Sequence, residues 1–205
     1  MGVKERKEKQ KGELRQLILS AAMKLFVEKG VEQTTIRNIA DKINYSIGTV
    51  YLHFKDKDEI LYTLHSAGFL KLSAEFKILS TVAKPMERLK AMGLVYINFA
   101  KNNSYLYELM FSSAVPMHVL QNAKTEEWAE GNGTFSVLKD TIVDCLKKGY
   151  FKNQDAEALS FIMLSAVHGM CSLKISRRTE GLNLGNPDTI VEKAYGEFLK
   201  ILDKT

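Results

Sequence analysis

Apolar residues recur along this chain at intervals of three and four, the spacing of amphipathic α-helices, and show little of the two-residue alternation of a half-buried strand. Leu14, Leu17, Ile18, Ala21, Ala22, Leu25 and Phe26 place one face of a helix over about 13–29, and Gly30 follows where a left-handed C-cap is wanted. The pair Thr34-Thr35 offers an N-cap for a second helix over about 36–43, with Ile36, Ile39, Ala40 and Ile43 facing inward. Asn44 tolerates the positive φ of a tight turn. Ser46 then caps a third helix over about 47–54, whose buried side is Val50 and Phe54. Asp56-x-x-Glu59 reads as a capping box opening a long helix over about 57–81.

The rest of the chain keeps the same period. Pro85 falls in the first turn of a helix over about 86–101, and "NNS" (102–104) separates it from the apolar "YLYELMFS". Pro116 marks a break. Residues 117–149 read as one long helix or as two, interrupted at "EGNGT" (130–134) and ended by Gly149. A further helix runs from Asp155 to about Arg178, and Asn186-Pro187 is an N-cap and N1 pair for a last one reaching about Asp203. The expectation is an all-α fold of nine or ten helices. Residues 1–56 form a small three-helix domain and residues 57–205 a larger helical one.

Bulk properties narrow the function classes. At 205 residues, with 45% hydrophobic and 26% charged residues, the chain suits a soluble globular protein with one core and a small satellite domain. "ALSFIMLSAVHGMCSL" (158–173) is the nearest approach to a membrane span, but it is short and holds His168. The opening "MGVKERKEKQKGE" is charged throughout and has no apolar secretion segment, so a cytoplasmic protein with no membrane partner is expected. Cys145 and Cys171 lack metal or redox spacing and read as reduced thiols. No His-Glu-x-x-His, Gly-x-Ser-x-Gly or phosphate-binding glycine loop occurs, which argues against an enzyme; neither cofactor nor metal is expected. Charge placement points elsewhere. Residues 1–30 carry eight Lys/Arg against four Glu, so +4 of the net +5 lies in the first seventh of the chain. A basic arm beside a polar helix suits a phosphate backbone.

The third helix supplies that polar surface. "NYSIGTVYLHFK" packs Ser46, Thr49, Tyr51, His53 and Lys55 into ten residues around a helix-start glycine, Gly48, which costs about 1 kcal/mol relative to Ala. Three short helices joined by tight turns, the third rich in outward polar groups, describe a helix-turn-helix. On that reading Gly48 lets the backbone approach DNA, and Ser46 and Thr49 bond phosphates or base edges. Ile47 and Tyr51 pack on thymine methyls. His53 and Lys57 lie beside flanking phosphates, free N–H groups at the start of the fourth helix hold another, and Arg37 reaches a guanine.

The run "LILSAAMKLFVEKGVEQTTIRNIADKINYSIGTVYLHFKDKDEIL" (17–61) resembles the DNA-binding domain of the tetracycline-repressor (TetR) family through A-x-x-L-F-x-x-x-G, T-T-I-R-x-I-A and S-x-G-T-V-Y-x-H-F-K-x-K-x-E-I-L. The resemblance places DNA contacts on Thr35, Arg37, Ile47, Gly48, Thr49, Tyr51, His53 and Lys57. Two positions depart from the family's pattern. Asn44 stands where glycine is usual, and Ile47 where a polar or basic residue is common, so base hydrogen bonding from position 47 is lost.

The resemblance also implies a homodimer that binds a small molecule in its C-terminal half. An interface is expected on the last two helices. Ala158, Ser165 and Gly169 allow close approach there, Ile162, Leu159 and Met163 add apolar area, and Ile190, Ala194 and Phe198 form a stripe. Ligand-lining candidates are Phe69, Phe76, Tyr96, Phe99, Met110, Phe111, Trp128, Phe135 and His168. No acidic residue interrupts these apolar positions, so a hydrophobic, neutral or mildly polar effector is expected. The function that follows is a repressor released from a pseudo-palindromic double-stranded operator by that effector. The alternative is a constitutive or structural DNA binder of the same fold without a switch.

Overall fold

A computed structural model describes residues 2–111 and 129–203 of the chain. Among these are nine α-helices: α1 (Val3–Lys29), α2 (Ile36–Lys42), α3 (Ile47–Tyr51), α4 (Lys57–Ile78), α5 (Pro85–Asn102), α6 (Ser104–Phe111), α7 (Ala129–Lys147), α8 (Ala156–Ile175) and α9 (Ile190–Leu202). The all-α expectation holds. Two compact units form: the described residues up to Gly68 with Glu108 to Phe111, and Phe69 to Tyr107 with Ala129 to Asp203.

In the first unit, Ile18, Ala22, Ile39, Ala40, Val50, Phe54, Ile60 and Leu61 are almost completely buried. The turn chemistry is as expected at Asn44, which takes φ 57° between α2 and α3. Thr35 caps α2, its hydroxyl accepting from Asn38 N at 3.2 Å. Ser46 caps α3, accepting from Thr49 N at 3.0 Å. Other details differ. Gly30 does end α1, but at φ 81°, ψ 159°, outside the left-handed helical region and in one that essentially only glycine reaches. The box at Asp56 is displaced: Asp56 accepts from Glu59 N at 2.8 Å, but Glu59 reaches back to Lys55 N at 2.6 Å. The largest difference is α1, which starts at Val3 rather than Glu13. Residues 3–13 have no apolar stripe, so periodicity could not mark them; only their helix-compatible Lys, Glu, Gln and Arg content did.

In the second unit α8 packs against α5, α7 and α9, and α5 also packs on α7. The α7 helix runs through "EGNGT" without the expected interruption. Gly131 and Thr134 are buried there, and Thr134 Oγ1 donates to the Phe69 and Glu130 carbonyls at 3.2 and 2.8 Å, so packing overrides glycine's weak propensity. The last helix begins at Ile190, not at Pro187. Asn186 instead makes a local turn, accepting from Asp188 N at 3.0 Å, and Lys174 Nζ donates to the Pro187 carbonyl at 3.0 Å.

Gly93 on α5 has a packing role that periodicity does not reveal. A Cβ there would overlap the ring of Tyr195, 2.7 Å from Cε2, and Tyr195 is buried with its hydroxyl donating to the Lys90 carbonyl at 2.7 Å. Gly93→Ala should therefore destabilise the second unit by about 1–3 kcal/mol, since the hydroxyl must leave its partner or the helices must part. Chemical denaturation measures this, and a variant as stable as the parent would show that the ring moves freely.

Candidate nucleic-acid interface and effector-binding residues

The first unit brings most of its expected DNA contacts to the surface at two places. Thr35 and Arg37 are exposed at the start of α2. Ser46, Gly48 and Tyr51 are exposed on α3, with Ile47 and Thr49 half-buried beside them. A Cβ on Gly48 would meet only Ser46 Oγ, at 3.7 Å, so nothing inside the protein demands glycine there. Tyr51 keeps 53% of its surface open although its neighbour Val50 has none, as a five-residue helix presenting one outward face requires. Ser46 Oγ is already engaged, 2.8 Å from Thr49 Oγ1 as well as capping Thr49 N. It shapes the helix start as much as it offers a group to DNA.

Two expected contacts are more constrained. Lys57 Nζ donates to the Val31 carbonyl at 2.8 Å, tying α4 to the loop before α2, although an ammonium has two further donors for a phosphate. His53 is half-buried, with Nδ1 unpartnered among the described residues. Burial and the nearby charges of Lys11 and Arg15 lower its pKa, so the His53 ring is held towards its neutral form. At the start of α4 the Glu59 N–H, one of those expected to hold a phosphate, is capped by Asp56 instead.

Sequence reasoning missed Arg15. Its guanidinium lies 4.0 Å from the centroid of the Phe54 ring, and Nη1 donates to the His53 carbonyl at 2.7 Å. Nη2 reaches Thr63 Oγ1 at 3.4 Å and Glu59 Oε1 at 4.0 Å. This single side chain fastens α1 to the residues after α3 and to α4. The sequence signal was a lone cation on the apolar face of α1, one turn before Ile18.

The second unit treats the effector candidates unevenly. Phe69, Phe76, Tyr96 and Phe99 are buried within it, and Phe135 is half-buried. Met110 is buried and Phe111 half-buried, both in the first unit. Trp128 lies outside the described residues. His168 joins a polar cluster inside an apolar surround. Its Nδ1 lies 2.7 Å from Tyr107 Oη and 3.0 Å from Tyr96 Oη, and the Tyr107 and His168 rings stack at 5.5 Å. Burial raises both phenol pKa values and lowers that of the imidazole, so all three groups are neutral at neutral pH. A separate groove of about 210 Å³ is floored by Ile97, Ala100, Cys171, Ile175 and Val191; none of the expected ligand residues lines it. Among the described residues no group of three His, Cys, Asp or Glu is arranged to hold a metal ion.

The α8 helix is long and apolar enough, by length and composition, to match a membrane span, unlike the shorter run seen in the sequence. Core packing accounts for one side of it. Leu159, Met163, Val167 and Cys171 face the core, so Leu159 and Met163 do not add apolar area to an interface as expected. The opposite side leaves Phe161, Ile162 and Leu173 64%, 58% and 47% exposed. Ala158 and Ser165 are exposed along it, and Gly169 has open space where a Cβ would stand. On α9, Ile190, Ala194 and Phe198 are half-buried and Ile201 is exposed.

An exposed, glycine-bearing recognition helix on a three-helix unit, continued by a helical second unit, defines a helix-turn-helix DNA-binding transcriptional regulator. Family models agree over both parts. The one described as "Bacterial regulatory proteins, tetR family" matches residues 18–63, and "Tetracyclin repressor-like, C-terminal domain" matches residues 89–198. The chain belongs to the TetR family. It is 42% identical over 84 residues to the HTH-type transcriptional repressor KstR2 of Mycobacterium tuberculosis, a match spanning 40% of each chain. Among solved structures, a putative TetR-family transcriptional regulator from Syntrophomonas wolfei superposes with TM-score 0.74 at 22% identity, over 95% of this chain and 96% of that one. The fatty acid degradation regulator FadR from Bacillus halodurans gives TM-score 0.72 at 15% identity, over 90% and 94%. At these identities the structural likeness speaks for the fold.

Proposed function

We propose that the protein is a homodimeric repressor that binds a pseudo-palindromic operator and is released from it by a small hydrophobic effector. The observation that carries the DNA part is the outward face of α3, where Gly48 is free of any internal packing demand and Tyr51 is half-exposed beside the buried Val50. The proposed contacts are Thr35, Arg37, Ser46, Ile47, Gly48, Thr49, Tyr51, His53 and Lys57. The dimer reading draws support from the uncovered apolar side of α8. An exposed stripe of Phe161, Ile162 and Leu173 around small residues is what two-fold helix packing buries.

For the effector, the neutral Tyr96–Tyr107–His168 cluster among buried aromatic residues favours an apolar ligand with a hydrogen-bonding head over a permanently charged one. Since the structurally similar FadR is named for fatty acid degradation, uncharged fatty acid derivatives belong in the first ligand panel, with free fatty acids as the charged comparison. The proposed coupler is α4, one continuous helix from Lys57 to Ile78. It carries a proposed DNA contact in its first turn and the effector candidates Phe69 and Phe76, seven residues apart and so nearly on one face. Tilting it in both protomers would change the separation of the two recognition helices. A coupling of about 1–3 kcal/mol would weaken operator binding about 5–150-fold.

Selection from a random duplex library tests the reading. Bound sequences should contain two related half-sites about 34–36 Å apart, centre to centre. On the selected site, Tyr51→Ala should lose more affinity than on mixed-sequence DNA, whereas Lys57→Ala should weaken both alike and reduce the salt slope by about one unit. Equal losses for Tyr51→Ala on both duplexes would remove it from base readout. A ligand found by thermal shift that leaves operator affinity unchanged would favour the constitutive binder.

A further inference from the structure

The α1 helix extends well beyond the body of the first unit, and its two sides differ in charge. Residues 2–13 are all exposed, yet the segment from Val3 onward is helical. Lys4, Lys7, Lys11 and Arg15 follow one another at helical spacing and share a face. That face is the one which, further along α1, buries Ile18, Ala22 and Leu25. The inward side of the helix therefore changes from apolar to net basic where it leaves the core, with Glu8 as the single acid among the four cations of that face. Arg6, Lys9 and Lys24 lie on the opposite side, and Lys9 is already engaged with Glu13 at 3.9 Å. Among the described residues Lys4, Lys7 and Lys11 have no carboxylate within 4.0 Å.

The direction of this stripe is marked by its innermost cation. Arg15, at the inner end of the stripe, donates to the His53 carbonyl at 2.7 Å just beyond α3, and burial together with the positive charges of Lys11 and Arg15 lowers the pKa of His53. Lys11 is thus near the residues that follow the recognition helix, and the stripe is continuous with the surface read as the DNA interface. Four cations separated by eleven steps of the helix, from Lys4 to Arg15, span about 16 Å at 1.5 Å per residue. A duplex presents its charges as a dense row of phosphates, so a straight cationic row suits it better than isolated groups.

We propose that residues 3–15 act as a rigid helical outrigger, with Lys4, Lys7 and Lys11 on the phosphate backbone of the DNA duplex held by the recognition helix. This rests on the DNA-binding reading above and adds three phosphate contacts outside α3. They carry no sequence information; they lengthen the footprint and strengthen binding on every sequence. The helical form matters because it holds the three ammonium groups in a row before DNA arrives.

The test uses the full-length protein and a fluorescent mixed-sequence duplex, with affinity measured by anisotropy across a range of salt. The triple variant Lys4→Gln/Lys7→Gln/Lys11→Gln should reduce the salt slope by about 2.7 for each protomer engaged, from about 0.9 per lost phosphate contact. The triple variant Arg6→Gln/Lys9→Gln/Lys24→Gln removes the same charge from the opposite side of α1 and should change the slope by less than a third of that. Gly12→Pro keeps every cation but breaks the helix between the outrigger and the body, and should lose as much as the first triple variant. All substituted positions are exposed, so thermal melting should stay at the parental temperature and report any folding defect separately. Equal losses from the two triple variants would mean that charge acts without a defined face, and would overturn the stripe. A parental salt slope in Gly12→Pro would mean that the segment works as a flexible tail, and would overturn the rigid element. If the parent protein binds no duplex at all, it is the DNA-binding reading that fails.

Discussion

Phe54→Ala should cost about 3–5 kcal/mol and abolish DNA binding without touching any exposed contact. Phe54 is 1% exposed, and it is the point at which three parts of the first unit meet. It closes the buried side of the recognition segment together with Val50, and Arg15 from α1 covers its ring at 4.0 Å. Truncation would leave a cavity in a small unit, where the core has little stability to spare. It would also remove the apolar surface under a guanidinium that holds the His53 carbonyl. The loss of the cation–π contact adds about 0.5–2 kcal/mol to the cavity term. Urea denaturation followed by circular dichroism should show the first unit melting at lower denaturant than in the parent. Arg15→Lys should give a smaller loss, since an ammonium cannot keep the fork of hydrogen bonds. A Phe54→Ala protein with an unshifted transition would contradict this account of how α3 is held.

Ile162→Asp should have the opposite profile, with little effect on the monomer and a large one on assembly. The side chain is 58% exposed on α8, so a carboxylate there stays solvated in a single chain. In a two-fold interface built on this face, each substitution appears twice, and two carboxylates near the axis lose water and repel each other. Like-charge juxtaposition of this kind costs several kcal/mol. At micromolar concentration the parent should sediment as a dimer and the variant as a monomer. Operator binding should fall with it, because one helix-turn-helix reads only one half-site. A variant that still sediments as a dimer would move the interface away from this side of α8, and a monomeric parent would remove the interface altogether.

These two variants separate what can be read along the chain from what cannot. Local patterns placed the turns around α2 and α3. The apolar period, the Thr35 and Ser46 caps and the positive φ at Asn44 act over three or four residues, and each is found where the sequence put it. The exposed face of α3 followed from the same short-range logic, since Val50 and Phe54 left the other side outward. Helix starts and stops were less reliable where no apolar stripe marked them. The charged residues 3–13 extend α1. Asn186 turns back on Asp188 instead of opening a helix at Pro187.

Contacts between residues far apart in sequence decided the rest. Arg15 reaches Phe54 and Glu59, Tyr195 fills the space that Gly93 leaves, and His168 meets Tyr96 and Tyr107 across 72 and 61 residues. Which side of α8 is core was also undetermined by periodicity, because the helix is apolar nearly all round. Only packing shows Leu159 and Met163 turned inward and Phe161 and Ile162 turned outward. The sequence by itself determined the helical class, the capped turns and the recognition helix, because these depend on dihedral preferences and the spacing of neighbours. Tertiary structure alone decided which aromatic residues are core and which polar groups meet, because those depend on distances that no local preference encodes.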